Sequence, residues 1–211
     1  MRLQDRICRT RGRPPSPEAA ERIVKAATEL FLTKGYSATS MQDVARQFGG
    51  SKQTIYARFP DKRALVEAVV TAFAERMLQS PRQVTGTDGD PETRLLALAD
   101  AILRSALAGE AVMMLRLVIS ECEQMPELAE IAERRARIPG QMLVADVMSQ
   151  LIHEGRVSGD PDTLARQFTD LALVPHIWDR LTLARPARSM EQIGPELEAA
   201  TRLFLKAARP E

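Results

Sequence analysis

The stretch Thr39-Ser-Met-Gln-Asp-Val-Ala-Arg-Gln-Phe-Gly-Gly-Ser-Lys-Gln-Thr-Ile-Tyr-Ala-Arg-Phe59 decides the reading of the chain, because it spells two short helices around a glycine turn. Thr39 or Ser40 can accept the free N–H groups at a helix start, and Asp43, three residues after Ser40, supplies the reciprocal half of a capping box. Gly49 offers the left-handed residue that ends this helix, Gly50 loosens the turn, and Ser51 is placed to cap a second helix through Tyr56. Met41, Val44, Ala45 and Phe48 recur at helical spacing, with Ile55 and Phe59 on the second helix, so the two cross with these faces together. Lys52, Gln53, Thr54, Tyr56 and Arg58 are left outward. Such a helix carries the donors and acceptors that phosphates and base edges require, and in a helix-turn-helix its N-terminal part enters the major groove.

Working outward, the chain resembles the TetR family of bacterial transcription regulators over residues 16–66. The residues that carry the resemblance are Thr39-Ser40, Asp43-Val44-Ala45, Gly49, Ser51-Lys52, Thr54-Ile55-Tyr56, Phe59, Lys62 and Leu65. Two residues depart from the family pattern: Gly50 replaces the usual apolar residue, and Pro60 follows Phe59, where Pro is at home before a helix. Further on, Leu115-Arg-Leu-Val-Ile119 followed by Pro126-Glu-Leu-Ala129 looks like AcrR- or AefR-like members. The resemblance implies an all-α protein in which a three-helix DNA-binding domain, 16–66 with its motif at about 40–59, precedes a larger helical regulatory and dimerisation domain, 67–211. It places Tyr56 and Lys62 on phosphates, with Lys52, Gln53 and Thr54 near base edges. It also implies a homodimer formed by the last two long helices, a small-molecule effector controlling the head, and, as the family's commonest action, repression.

The 211 residues are 45% apolar and 27% charged, which suits a globular protein with a real core. No apolar run is long enough for a bilayer and no apolar stretch follows the Arg-rich start, so a cytoplasmic protein away from membranes is expected. Cys8 and Cys122 stand far apart, and two histidines form no ligand cluster; neither metal nor cofactor is expected. The overall charge of +1 hides an asymmetry. Residues 1–63 carry 13 Lys and Arg against 6 Asp and Glu, and the remainder carries 16 against 22, so a basic head sits on an acidic body.

Residues 1–15 read as a flexible basic arm, with five arginines interrupted by Gly12, Pro14 and Pro15. Within it Arg11-Gly12-Arg13-Pro14 resembles an AT-hook core, whose arginines lie along a narrow minor groove; simple phosphate attraction is the alternative. Ser16-Pro17 starts a helix with an apolar stripe from Ile23 to Phe31. Asp61 starts a fourth helix reaching about Gln79, and 80–90 reads as a loop. Helices follow from Pro91 to Gly109, from about Glu110 to Glu123, and from Pro126 to about Glu154 with a kink or break at Pro139-Gly140. The last run from Pro161 to about Leu183 with a bend at Pro175, and near Met190 to Ala208 with a start delayed by Gly194-Pro195. About nine helices and no repeat result.

Met113, Met114 and Leu117, facing Met142, Met148, Phe168, His176 and Trp178, form a candidate pocket for an apolar or amphipathic ligand, methionine being adaptable. Core packing is the alternative for each. Arg116 and Glu121 offer polar groups beside it. Two identical heads on a two-fold axis call for a roughly palindromic operator in double-stranded DNA, with half-sites about one helical turn or somewhat more apart. The rivals are a constitutive architectural DNA-binding protein without effector response, and a helical enzyme. The latter lacks any cluster of acids, histidines or phosphate-cradling glycines.

Overall fold

The computed structural model describes residues 17–86, 88–183 and 186–210, and every regular element among them is helical. In chain order they are α1 (Pro17–Lys34), α2 (Met41–Phe48), α3 (Lys52–Tyr56), α4 (Lys62–Met77), α5 (Gln79–Val84), α6 (Pro91–Leu107), α7 (Gly109–Glu121), α8 (Pro126–Ala132), a π-helical turn (Glu133–Arg137), α9 (Ile138–His153), α10 (Pro161–Ala172), α11 (Val174–Thr182) and α12 (Met190–Ala207). Segments that meet through right-handed helical residues form continuous runs: α4 with α5 at Leu78, α8 with α9 through the π turn, and α10 with α11 at Leu173. Counted this way, the described residues hold nine runs.

Three local expectations need correction. Residues 79–84 continue as α5 and are no loop, the Arg82 N–H donating to the Leu78 carbonyl and Pro81 being buried. Pro139 does not break its helix: the chain widens beforehand into the π turn, with the Ile138 N–H reaching back to the Glu133 carbonyl. Gly194-Pro195 does not delay α12. Ser189 and Gln192 form a capping box that fixes its first turn, and Gly194 has no Cβ to clash with the proline ring.

The buried side chains fall into two clusters. One lies within α6, α9, α10 and α12, around Leu98, Leu103, Met148, Leu151, Phe168 and Phe204, with the Phe168 and Phe204 rings edge to face at 5.3 Å. Arg94 is buried at its margin, its guanidinium held by the more exposed Glu154 and by Gln150, so the buried charge is paired. The other cluster joins head to body. Ile23, Ala27 and Phe31 of α1, Val44 of α2 and Ile55 of α3 pack with Leu65, Val66, Val69 and Val70 of α4, and with Met114, Leu117 and Leu128 of α7 and α8. A division at residue 66 therefore falls inside α4, which contributes to both sides. No helix among the described residues is long and apolar enough to cross a membrane.

Candidate nucleic-acid interface

The head is held by local chemistry. At the start of α2 the Ser40 hydroxyl accepts the Asp43 N–H at 3.1 Å while Asp43 Oδ2 accepts the Ser40 N–H at 2.9 Å. These Ser40 contacts, with help from Lys34, hold the Asp43 carboxyl well below the usual carboxylate range. At the other end Gly49 adopts φ 74° and ψ 34°, its N–H donates to the Arg46 carbonyl, and the Gly50 N–H donates to the Ala45 carbonyl. This is a complete Schellman closure, and only its left-handed residue requires glycine. Gly50 has a different reason: a Cβ there would stand 2.5 Å from the Phe48 ring, which lies over the turn and carries the Arg22 guanidinium 5.0 Å from its centroid.

The next helix, α3, has only five residues, too few to persist alone. Ser51 accepts the Thr54 N–H at 3.1 Å, its hydroxyl meets that of Thr54 at 2.8 Å, and Ile55 is wholly buried beneath them. Burying Ile55 is worth about 2–3 kcal/mol and anchors the helix from below. Lys52, Gln53 and Tyr56 face outward, the Lys52 ammonium 5.5 Å from the Tyr56 ring centroid. Thr54 is half-buried and tied to Ser51, and the Arg58 guanidinium bends back to the Thr54 carbonyl at 3.3 Å.

Not every residue expected to meet DNA is free to do so. Thr39 is 2% exposed; its hydroxyl donates to the Gly35 carbonyl at 2.7 Å and holds the α1–α2 loop. Ser40 takes the cap and Thr39 turns inward. Lys62 opens α4 beside the loop, its ammonium 3.4 Å from the Ser37 carbonyl and 4.1 Å from the Tyr36 ring centroid. Burial lowers its pKa, and Glu121 works in the opposite direction. Tyr36, Ser37 and Glu121 were not in the expected set. Ser37 and Glu121 are 84 positions apart, and no spacing rule joins them. Arg11, Arg13 and the rest of the arm, Ser16 and Cys8 lie outside the described residues.

The expected pocket residues do not converge. Met114 and Leu117 pack in the head-side cluster, whereas Met148 and Phe168 are wholly buried in the other. Met113, Met142 and Trp178 are exposed, Trp178 to 63%. Arg116 donates to the Arg180 and Leu181 carbonyls at 3.0 and 3.1 Å, closing the C-terminal end of α11. His176, its side chain only 8% exposed, borders a cavity of about 20 Å³ with Leu107, Arg188 and Ile193. That volume holds about one water molecule.

Residues 23–69 match the family of bacterial regulatory proteins, tetR family, and residues 93–209 match the AefR-like transcriptional repressor, C-terminal domain. The chain is 32% identical over 90 residues to the HTH-type transcriptional activator FasR of Mycolicibacterium smegmatis, a match covering 43% of this chain and 41% of that protein. It is 26% identical over 168 residues, 80% of this chain and 74% of the other, to an HTH-type transcriptional regulator of Mycobacterium tuberculosis, Rv1556. Among solved structures, a TetR-family regulator from Mesorhizobium loti superposes with a TM-score of 0.81 at 25% identity, covering 90% of this chain and 96% of that one. The flavonoid-responsive regulator FrrA superposes with a TM-score of 0.77 at 27% identity, covering 93% and 100%.

Proposed function

The chain belongs to the TetR family of bacterial regulatory proteins, and from that membership we propose that it is a cytoplasmic homodimeric repressor, released from its operator by a small apolar or amphipathic molecule. It is a transcription regulator and not an enzyme. The observation that carries the DNA-binding part is α3 itself: a five-residue helix fixed by Ser51 and Ile55 that leaves Lys52, Gln53 and Tyr56 outward. In this reading residues 16–66 form the DNA-binding unit, Lys52 and Gln53 read base edges, and Tyr56 and Lys62 take phosphates. Arg11 and Arg13 extend the contact along the duplex.

A second copy is proposed to cover the stripe of Leu171, Val174 and Trp178 on α10 and α11, joined by Leu203 on α12. All four are exposed, and an aromatic so open on a helix stripe marks a protein contact. The likeness to FrrA supports an effector of flavonoid-like, amphipathic chemistry acting on the body. FasR, named as an activator, supports a second reading in which the same DNA contact raises transcription.

Selection of DNA from a random pool, at stated salt, tests the first part. A roughly palindromic site is expected; Lys62→Ala should weaken all sequences and flatten the salt slope by about one unit, and Gln53→Ala should relax preference at particular base pairs. A uniform loss from Gln53→Ala refutes the division of roles. For the effector, thermal-shift screening with flavonoids and related amphiphiles is followed by affinities measured with and without operator. Linkage requires the two to differ by the factor through which ligand weakens DNA, about 5- to 150-fold for a typical coupling. Equal affinities favour the constitutive rival.

A further inference from the structure

The junction between the α1–α2 loop, the start of α4 and the end of α7 brings together groups that the DNA-binding reading leaves unexplained. Glu121, the last residue of α7, accepts from the Ser37 hydroxyl at 3.3 and 3.4 Å. The Ser37 carbonyl in turn accepts from the Lys62 ammonium, which rests against the Tyr36 ring. That ring stands edge-on to Phe31 of α1, 5.4 Å between centroids, so its position is set by the head's core. Burial raises the Tyr36 phenol, and Glu121 and then Asp61 raise it further against Arg63. The carboxylate of Glu121 therefore acts on both Tyr36 and Lys62.

We propose that Glu121 is a positioning residue for the DNA contact: its carboxylate, tied to Ser37, draws the Lys62 ammonium onto the loop and away from the phosphate it meets in the complex, so that the body tunes the head's affinity through this side chain. The proposal rests on the reading of Lys62 as a phosphate contact. Two effects act in the same direction. Lys62 must give up the Tyr36 ring and the Ser37 carbonyl to reach a phosphate, and a phosphate approaching this corner meets the like charge of Glu121. The carboxylate is only partly exposed, so water screens it incompletely. Because Glu121 ends the helix whose Met114, Leu117 and Val118 pack in the head-side cluster, a displacement of α7 moves this charge relative to Ser37 and Lys62. The body thus has a direct means of changing how readily Lys62 is released.

The test is a double-mutant cycle on the full chain with its selected operator duplex, read by fluorescence anisotropy over a range of salt. Glu121→Gln keeps an acceptor for Ser37 and removes the charge. It is expected to tighten operator binding roughly two- to fivefold near 0.1 M salt, the range of a partly exposed charge pair, with a gain that shrinks as salt rises. In the Lys62→Ala background the same substitution should give little or no gain, while melting temperatures stay within a degree or so of their Glu121 counterparts. Weaker binding by Glu121→Gln, no change, or an equal gain with and without Lys62 overturns this proposal alone. Failure of the wild-type protein to select any sequence overturns the DNA reading and this proposal with it.

Discussion

Replacing Thr39 by valine separates a DNA contact from a loop support. Valine fills the same volume but cannot donate, so the Gly35 carbonyl loses the hydroxyl that meets it at 2.7 Å, and the Leu30 carbonyl a longer one at 3.4 Å. The side chain is buried, yet Gly35 is only half-buried, so water can partly replace the lost donor. A hydrogen bond of this kind is worth about 1 kcal/mol net, and an acceptor left incompletely satisfied adds up to about another. For a chain of this size each kcal/mol lowers the melting temperature by roughly 2–4 °C, giving an expected drop of about 3–6 °C at fixed protein concentration. DNA titrations well below the transition should show the wild-type salt slope, because no phosphate partner has been removed. An unchanged melting temperature with a slope reduced by about one unit would place the Thr39 hydroxyl on a phosphate and refute the reasoning.

Three further outcomes follow from the geometry. Gly50→Ala should lower stability by about 1–3 kcal/mol, since its Cβ forces the Phe48 ring off the turn and away from Arg22; a melting curve matching wild type would show that the ring moves freely. Burial pushes the His176 imidazole below its ordinary 6.5, with Glu196 and Asp179 opposing and Arg188 assisting. A base with a folded pKa below its unfolded one is protonated preferentially in the unfolded chain, so its stabilising share is whole above about pH 6.5 and is lost as pH falls beneath it. Melting temperatures between about pH 7 and 5 should therefore fall less steeply for His176→Gln than for wild type; the depressed carboxylates, such as Asp160 and Glu133, act only at lower pH, and identical slopes would contradict the assignment. Trp178→Glu should shift the light-scattering mass at micromolar concentration from two chains toward one, and an undiminished dimer would move the interface elsewhere.

What could be read from sequence was what local chemistry decides. Ser40 with Asp43, Gly49, Ser51 and the periodic burial of Val44, Ala45 and Ile55 all lie within a helical turn or two of the atoms they serve. Even there, adjacent Thr39 and Ser40 were equally good caps, and only the path of the loop back to α1 turned one of them inward. The residues of the ligand set lie in two clusters for a tertiary reason. Met114 and Met148 are alike as residues and both lie on apolar helices, but α7 packs toward the head while α9 packs against α6 and α10. Pro139 and Pro195 look like interruptions until a π turn and a capping box are seen to absorb them. The Glu121 contact with Ser37 depends on two distant segments meeting, which no periodicity announces.

The placement of α4 narrows how body and head can communicate. Its first residue is Lys62, and its interior residues Val66, Val69, Val70 and Phe73 are buried in the cluster that also holds Met114, Leu117 and Leu128. Ion pairs from Arg63 to Glu127 and from Arg76 to Glu110 join it to α8 and α7, but all four side chains are substantially exposed, and such pairs are individually weak and screened by salt. The greater part of any coupling must therefore pass through the close-packed apolar contact. Packed interiors shift between discrete arrangements more readily than they compress. An effector changes DNA affinity only to the extent that it prefers one arrangement of α7 against α4 over another. High salt should then weaken the Glu121 contribution while leaving most of an effector's influence intact.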